Sequence, residues 1–233
     1  WGNLARKLAH EIKNPLTPLQ LTIDRLKNKY TEQVELKDQV NFKENLKIIN
    51  NQIKQIENLV NEFSDFARMP KPVFKDNDLI KIIDESIKLT SEFDRSVEIK
   101  FKKNNEKLLF DCDKEQLSRV FFNLIKNSIE SIAQKIEIKG DFTKKILIEI
   151  LSNNDHIKVT LVDNGVGFDQ IKNDVKKIIN PYFTTKKNGT GLGLSIVNKI
   201  INDHNGELLF FPISNGAKIE INFRLDGHRN FNS

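Results

Sequence analysis

The 233-residue sequence predicts an α plus α/β protein, in which a helical hairpin precedes a layer of helices on a mixed sheet. Three observations support this fold class. Residues 4–30 and 42–66 carry apolar side chains at steps of three and four, which is the period of an amphipathic helix. Pro70 and Pro72 then end the second helix. Beyond them, short runs typical of strands alternate with further helical patterns.

The two N-terminal helices are predicted to form a hairpin, because only a short polar connection separates them. Each helix has one apolar stripe, and two helices alone cover each other poorly. Two hairpins that pair into a four-helix bundle would bury both stripes, so the pattern predicts a homodimer. The stripes consist of Leu4, Leu8, Ile12, Leu16, Leu19, Ile23, Leu26 and Tyr30 in the first helix and Phe42, Leu46, Ile49, Ile53, Ile56, Val60, Phe63 and Phe66 in the second.

The α/β part is predicted to occupy residues 76–226, after a hairpin domain at 1–69 and a linker at 70–75, and before a tail at 227–233. Asp113 and Gln116 have the spacing of a capping box, which predicts the start of a long helix. The other patterns predict helices at 78–90 and after 193, and strands at 97–101, 145–150, 157–163, 207–211 and 217–223.

Composition and charge exclude several classes of protein. The net charge is +5, but the 37 basic residues are interspersed with 32 acidic ones, so nucleic-acid binding is not expected. No apolar run reaches the ~18 to 20 residues of a membrane span, and no secretory leader is recognisable. The single cysteine, Cys112, cannot form an internal disulfide and fits a reducing, cytoplasmic setting.

The segment most informative about chemistry lies at residues 8–18 and reads LAHEIKNPLTP. His10 and Glu11 place an imidazole beside a carboxylate, which suits a histidine that accepts a phosphoryl group. Asn14 lies four residues after His10 and shares its helix face. Pro15 is expected to distort the helix locally. Without these neighbours, His10 would be interpreted as an ordinary surface histidine.

A pair of asparagines on the long helix is a candidate metal site. Asn123 and Asn127 lie four residues apart and therefore on one face, with Lys126 beside them. Amide oxygens suit Mg²⁺, which prefers a few protein oxygens together with phosphate and water. Taken alone, such a pair is more often solvated or involved in capping. The glycine-containing segments that follow favour the metal interpretation.

Two glycine-containing segments flank a polar stretch at 169–188 that is a candidate lid. The first, DNGVGF at 163–168, follows an alternating strand, so Asp163 lies at a strand end where it could accept a hydrogen bond from an exocyclic amine. By itself this segment could be a plain Asn-Gly turn. The second, GTGLGL at 189–194, leads into an apolar helix, a geometry that directs backbone N–H groups at phosphate.

Taken together, these motifs resemble those of the catalytic half of two-component sensor histidine kinases over essentially the whole chain. Residues 10–16 match the phosphoacceptor box, Asn123 and Asn127 the N box, 163–167 the first glycine box, 182–186 the F box and 189–194 the second glycine box. The runs at 9–30 and 62–72 are most similar to NtrY-type nitrogen-regulation sensors. The resemblance implies a dimerisation and histidine-phosphotransfer hairpin, followed by a GHKL, Hsp90-like α/β sandwich that binds ATP.

The resemblance also implies residue roles. His10 would attack the γ-phosphate of ATP, while Glu11 orients the other ring proton and Asn14 positions water for dephosphorylating a regulator. Asn127 with Asn123 would hold Mg²⁺, and Asp163 would bind the adenine amine. The phosphoryl group would pass to an aspartate of a response regulator receiver domain. The implied nucleotide-binding positions are Asn123, Lys126, Asn127, Asp163, Gly165, Gly167, Tyr182, Thr184, Thr185, Lys186, Gly189, Thr190, Gly191, Leu192, Gly193 and Leu194.

By the same resemblance, the chain would be the cytoplasmic core of an inner-membrane receptor, attached to the membrane only through further N-terminal segments of the full-length protein. Asn180, Asp169 and Ser128 depart from the residues that many relatives carry, which affects the expected lid behaviour more than the chemistry. Three alternatives compete with this interpretation: an ATP-hydrolysing Hsp90 or MutL relative, an anti-sigma serine kinase, and a dimeric phosphotransfer scaffold or phosphatase-biased protein with little ATP-dependent kinase activity. Asn123 fills the place of the carboxylate that hydrolysis needs, and the long hairpin argues against the serine kinase.

Overall fold

The computed structural model describes residues 2–67, 69–168, 175–181, 183–184 and 189–225, with the side chains of 2–6, 65–66 and 175–176 left aside. Internal contacts divide the chain into two units. The first unit comprises residues 1–70 together with 184–192, and the second comprises 71–183 together with 193–233. None of the described helices combines the length and hydrophobicity that crossing a lipid bilayer requires.

The first unit contains the predicted hairpin. Helix α1 spans Gly2–Tyr30, a short 3-10 turn spans Thr31–Gln33, and helix α2 spans Leu36–Ala67. Helix α1 is continuous through Pro15 and Pro18, and the local distortion expected at Pro15 stays a prediction. The hairpin core is formed by Leu16, Ile23, Leu46 and Ile53, with Leu26 and Phe42 packed against them.

A second apolar face of the hairpin stays exposed. Ile12, Leu19, Ile49 and Ile56 all belong to the predicted stripes, yet each is more than two-fifths exposed in the single chain. Exposed apolar residues arranged along two helices are typical of an interface surface. The observation agrees with the expectation that two helices cannot cover both stripes.

The second unit is a layer of helices on a five-stranded sheet of order β2-β4-β5-β7-β6, with only the β2–β4 pair parallel. This arrangement confirms the predicted α/β sandwich. The elements are β1 Lys75–Asp78, α3 Leu79–Ser91, β2 Glu98–Lys103, β3 Leu109–Cys112, α4 Lys114–Lys139, β4 Lys145–Ser152, β5 His156–Asp163, a 3-10 turn Val175–Ile179, α5 Gly193–Asp203, β6 Gly206–Ile213 and β7 Gly216–Arg224.

The core of this unit lies between the helices and one face of the sheet. Alternate residues of the central strands are buried, as the period of two along a strand requires. On α4, Phe121 and Leu124 lie against Ile148 and Ile221 of the sheet. Helix α4 also packs against α3 and α5. Its N-terminus is capped as predicted, because the Asp113 carboxylate accepts from the Gln116 N–H.

One sheet escaped prediction from the sequence. Strands β1 and β3 pair antiparallel as a separate two-stranded sheet. The residues of β1 are Lys75, Asp76, Asn77 and Asp78, which have no apolar alternation to signal a strand. Their partner strand holds them through backbone pairing, and the Asn77 side chain adds a hydrogen bond to the Cys112 carbonyl.

Candidate functional site

The predicted phosphoacceptor residues lie on the exposed face of α1. His10, Glu11 and Asn14 are exposed, whereas Ala9 and Leu16 are buried at 3% and 9% exposure. The alternation follows from the helical period, which turns residues three and four apart toward the same side. The imidazole of His10 is therefore exposed to solvent, while the opposite face of α1 is buried in the hairpin.

Asp163 has the opposite setting. It ends β5 at 3% exposure, its Oδ1 accepts from the Gly165 N–H at 2.9 Å, and its Oδ2 accepts from the Ser128 hydroxyl at 2.9 Å. Burial raises the pKa of this carboxyl above its usual value, while hydrogen bonds from Gly165, Ser128 and the Ala217 backbone act in the opposite direction. A carboxylate has about four acceptor positions, so it can still accept a further hydrogen bond. The group is thus buried, oriented and able to take another donor.

One face of α4 holds the turn after Asp163. Ser128, Ser131 and Lys135 are spaced at i, i+3 and i+7, so their side chains point the same way. The Val166 N–H donates to both the carbonyl and the hydroxyl of Ser131, at 3.3 and 3.1 Å. A Cβ built on Gly165 would lie 2.3 Å from the Ser131 hydroxyl oxygen, so only glycine fits this close approach.

Asn164 fastens the same turn to the start of β4. Its Oδ1 accepts from the Lys145 N–H at 2.9 Å, and its Nδ2 donates to the Thr143 carbonyl at 2.7 Å. The second glycine of the segment, Gly167, has a φ of +71°, which a residue with a side chain rarely adopts. Sequence reasoning placed Asp163 at a strand end, and the structure adds that the turn is braced from two sides.

Asn123 and Asn127 lie half-buried on α4, with Lys126 between them. The Asn123 Nδ2 donates to the Arg119 carbonyl at 2.9 Å, which turns its Oδ1 toward Gly193, where a Cβ would lie 3.5 Å away. The Lys126 ammonium lies 3.8 Å from the Glu130 carboxylate. Among the described residues, no group of three or more His, Cys, Asp or Glu side chains could hold a metal ion. The amide oxygens of Asn123 and Asn127 are ligands of the kind that Mg²⁺ accepts.

The second glycine segment, residues 189–194, lies within the described residues. In the first unit, the Thr190 hydroxyl donates to the Glu62 carboxylate of α2, and the Leu192 N–H donates to Thr190 Oγ1 at 3.4 Å. Gly191 has a φ of +71°. Helix α5 begins at Gly193, so Gly193 and Leu194 supply N–H groups that have no partner within the helix. Gly189 lies in the same segment and is half-buried.

The predicted lid falls largely outside the described residues. Tyr182, Thr185 and Lys186, which we proposed as nucleotide-binding, are among those not described, whereas Thr184 is described and exposed. The stretch also contains the 3-10 turn Val175–Ile179, which its polar sequence did not predict. The Phe183 N–H donates to the Asn180 carbonyl after that turn.

Sequence reasoning missed the residues that support Asp163. Ser128 was noted only as a departure from the residue that many relatives carry, and Ser131 and Lys135 were not singled out. All three are polar side chains on the buried side of an amphipathic helix. That contrast, polar residues at positions where the helical period requires burial, is the signal that could have identified them.

Comparison with known proteins places these features in a family. Residues 1–72 match the His Kinase A (phospho-acceptor) domain. Residues 112–227 match the family of histidine kinase-, DNA gyrase B- and HSP90-like ATPases. The first match covers His10, and the second covers Asp163. The chain belongs to the histidine kinases.

This histidine kinase is similar along 97% of its length to an NtrY-like sensor histidine kinase of Rickettsia conorii, at 38% identity, and to the nitrogen regulation protein NtrY of Azorhizobium caulinodans, at 34% identity. It spans 36% and 29% of those two proteins. These relatives confirm the resemblance to NtrY-type sensors, and the chain corresponds to about a third of their length.

Among solved structures, this kinase is similar to the histidine kinase ThkA in complex with the response regulator protein TrrA. The TM-score is 0.65 at 27% identity, over 96% of this chain and 61% of that one. The catalytic domain of ThkA alone gives a TM-score of 0.57 at 29% identity, over 66% of this chain and 96% of that one. Both likenesses confirm the predicted fold class.

Proposed function

We propose that the chain is the catalytic core of a sensor histidine kinase, which phosphorylates His10 from Mg²⁺-ATP and passes the phosphoryl group to an aspartate of a response regulator. The observation that carries the proposal is the setting of Asp163, a buried carboxylate fixed at a strand end in the ATPase-family part of the chain. Hydrogen bonds from Ser128 and Gly165 hold this carboxylate in one direction, and its remaining acceptor capacity suits a further donor.

At the adenine end, Asp163 accepts a hydrogen bond from the exocyclic amine. The ionised carboxylate makes this bond stronger than a neutral acceptor would. Gly165 and Gly167 let the turn pack closely against Ser131 and Gly216, which fixes the position of Asp163 beside the proposed base site. ATP use agrees with the match to the ATPase family.

At the phosphate end, Asn127 and Asn123 would hold Mg²⁺ through their amide oxygens, and Lys126 would contribute positive charge. Such an ion would supply charge neutralisation to the phosphates when bound. The second glycine segment donates backbone N–H groups to phosphate oxygens at the start of α5. Tyr182, Thr184, Thr185 and Lys186 complete this set in the proposal.

At the acceptor end, the exposed ring of His10 attacks the γ-phosphorus through the Nε2 lone pair. The N–P bond forms as the bond from the γ-phosphorus to the bridging oxygen breaks, and ADP leaves. Glu11 accepts or orients the proton on the other ring nitrogen, so that the attacking nitrogen keeps its lone pair. The phosphoryl group then moves to a carboxylate oxygen of the regulator's aspartate, as the N–P bond breaks.

Two partners are proposed, a second copy of the chain and a response regulator. The exposed apolar face formed by Ile12, Leu19, Ile49 and Ile56 supports a homodimer in which two hairpins form a four-helix bundle. The solved complex of ThkA with a response regulator protein supports a receiver-domain partner. In the proposal, Asn14 positions the water that removes phosphate from that regulator. Because the NtrY-like relatives are about three times longer, we also infer that the chain is the cytoplasmic core of a larger membrane receptor.

The test is incubation with γ-labelled ATP and Mg²⁺, followed by acid and alkali treatment of the labelled protein. Wild type should carry acid-labile, alkali-stable label, which His10→Gln and Asn127→Ala should lose. His156→Gln is the matched control, since His156 is an exposed histidine at the start of β5. Nucleotide binding without label would favour a phosphotransfer scaffold or a phosphatase-biased protein. Adding phosphorylated regulator separates those two, because only the phosphatase releases phosphate from it.

A further inference from the structure

Lys135 is a charged side chain in a place where charge is costly. It lies on α4 at 7% exposure, and its ammonium donates to the Asn164 carbonyl at 2.7 Å and to the Asn215 side-chain carbonyl. The ammonium also lies 5.0 Å from the centre of the Phe142 ring. A buried ammonium is tolerated only when such partners replace water.

The two groups that Lys135 joins belong to turns in direct contact. Asn164 follows Asp163, and Asn215 lies in the turn between β6 and β7. A Cβ on Gly216 would lie 1.8 Å from the Asp163 carbonyl oxygen, and one on Gly167 would lie 2.3 Å from the Gly216 carbonyl oxygen. The backbones of the two turns therefore touch, and Lys135 bridges them from the helix side.

We propose that Lys135 is a positioning residue for adenine recognition, because it ties the Asp163 turn to the β6–β7 turn and so holds the Asp163 carboxylate in its direction. The inference rests on the proposed function of Asp163. Asn164 lies between Asp163 and Gly165, whose N–H donates to the carboxylate. Releasing the Asn164 carbonyl would therefore loosen the donor that orients Asp163.

The electrostatics agree with this geometry. The charge of Lys135 lowers the pKa of Asp163, and Asp163 raises the pKa of Lys135, while burial acts against both charges. Lys135 thus helps to keep the carboxylate ionised as well as oriented. The hydrogen bonds of Lys135 to Asn164 and Asn215 both lie at the end of the proposed site that binds the base. We therefore expect substitution of Lys135 to change recognition of the base alone.

The experiment compares binding of ADP and of inosine diphosphate, in which a carbonyl replaces the exocyclic amine. Wild type should prefer ADP. Lys135→Met keeps the length and apolar stem but removes the charge, and it should weaken ADP binding about tenfold with inosine diphosphate binding nearly unchanged. Lys139→Met is the matched control, since Lys139 is exposed one turn further along α4 and should bind as wild type does.

Asn215→Ala provides a second variant, because Asn215 is exposed and its truncation leaves the core intact. It should reduce the preference for ADP in the same direction, and the double variant should lose no more than Lys135→Met alone, as expected for coupled residues. An equal loss for both nucleotides, or no loss in either variant, would overturn the positioning role. A wild type that binds neither nucleotide would instead overturn the proposed function, and this inference with it.

Discussion

His10 and Asp163 belong to parts of the molecule built in opposite ways. His10 is exposed on an amphipathic helix, whereas Asp163 is 3% exposed with a donor on each carboxylate oxygen. In the proposed function, His10 must meet two partners in turn, first the nucleotide and then the regulator. Asp163 binds a single base, and a fixed, partly desolvated acceptor discriminates better than a mobile one. The comparison indicates that the proposed role of His10 depends on accessibility, whereas that of Asp163 depends on preorganisation.

The largest effect expected from this difference is on nucleotide binding. Asp163→Asn should weaken ADP binding about hundredfold, because the charged acceptor is lost and the new amide presents donors to the adenine amine. His10→Gln should leave ADP binding unchanged, since the residue is exposed and remote in sequence from the nucleotide motifs. Calorimetric titration of both variants checks this, and comparable losses in the two would contradict the separation of roles.

The same substitution should have the opposite effect on stability. Burial raises the pKa of Asp163, so ionising this carboxyl costs free energy in the folded protein. Its contribution to the free energy of unfolding is therefore lost as the pH rises through the pKa of the folded state. Without nucleotide, Asp163→Asn should therefore raise the free energy of unfolding at pH 7. The gain should shrink as the pH falls toward the ordinary carboxyl pKa of about 4, where the unfolded chain is also protonated. Urea unfolding across this pH range measures it, and a gain that is constant with pH would contradict the explanation.

The next effect concerns the packing of the Asp163 turn. In Gly165→Ala the new Cβ would lie 2.3 Å from the Ser131 hydroxyl oxygen and 2.7 Å from the Ser131 carbonyl carbon, so α4 or the turn must move. We expect the free energy of unfolding to fall by about 2 to 3 kcal/mol, as for other overpacked sites.

Gly140→Ala is a control for the backbone alone. Gly140 follows α4 with a φ of +80° and a ψ of −171°, and it has nothing within 4 Å of a built Cβ. Its substitution should therefore cost about 1 to 3 kcal/mol of backbone strain without any overpacking. Urea unfolding of both variants makes the comparison. A Gly165→Ala protein as stable as wild type would show that the Asp163 turn is looser than its contacts indicate.

The sequence predicted the periodic parts of this fold and the position of Asp163, but not what supports Asp163. The hairpin, α4 and the central strands could be predicted because their apolar residues recur with periods of 3.6 and 2. An element that buries one face against a neighbour must have such a period. Strand β1 escaped because its residues are polar and are held by pairing with β3. Ser128 and Lys135 escaped because their roles depend on Asp163 and Asn164, which are distant along the chain and come close only in the fold.

The smallest effect concerns the hairpin itself. Glu62 on α2 accepts a hydrogen bond from the Thr190 hydroxyl of the second glycine segment, and that hydroxyl cannot donate to a phosphate at the same time. Glu62→Ala should release Thr190 and strengthen ADP binding about threefold, which is the size of one modest hydrogen bond. Glu44→Ala removes an exposed carboxylate elsewhere on α2 and should not change binding. Thr190→Val in the Glu62→Ala background should cancel the gain, because the released hydroxyl is then absent. Weaker ADP binding by Glu62→Ala would contradict this prediction, because the contact would then hold the second glycine segment in its binding conformation.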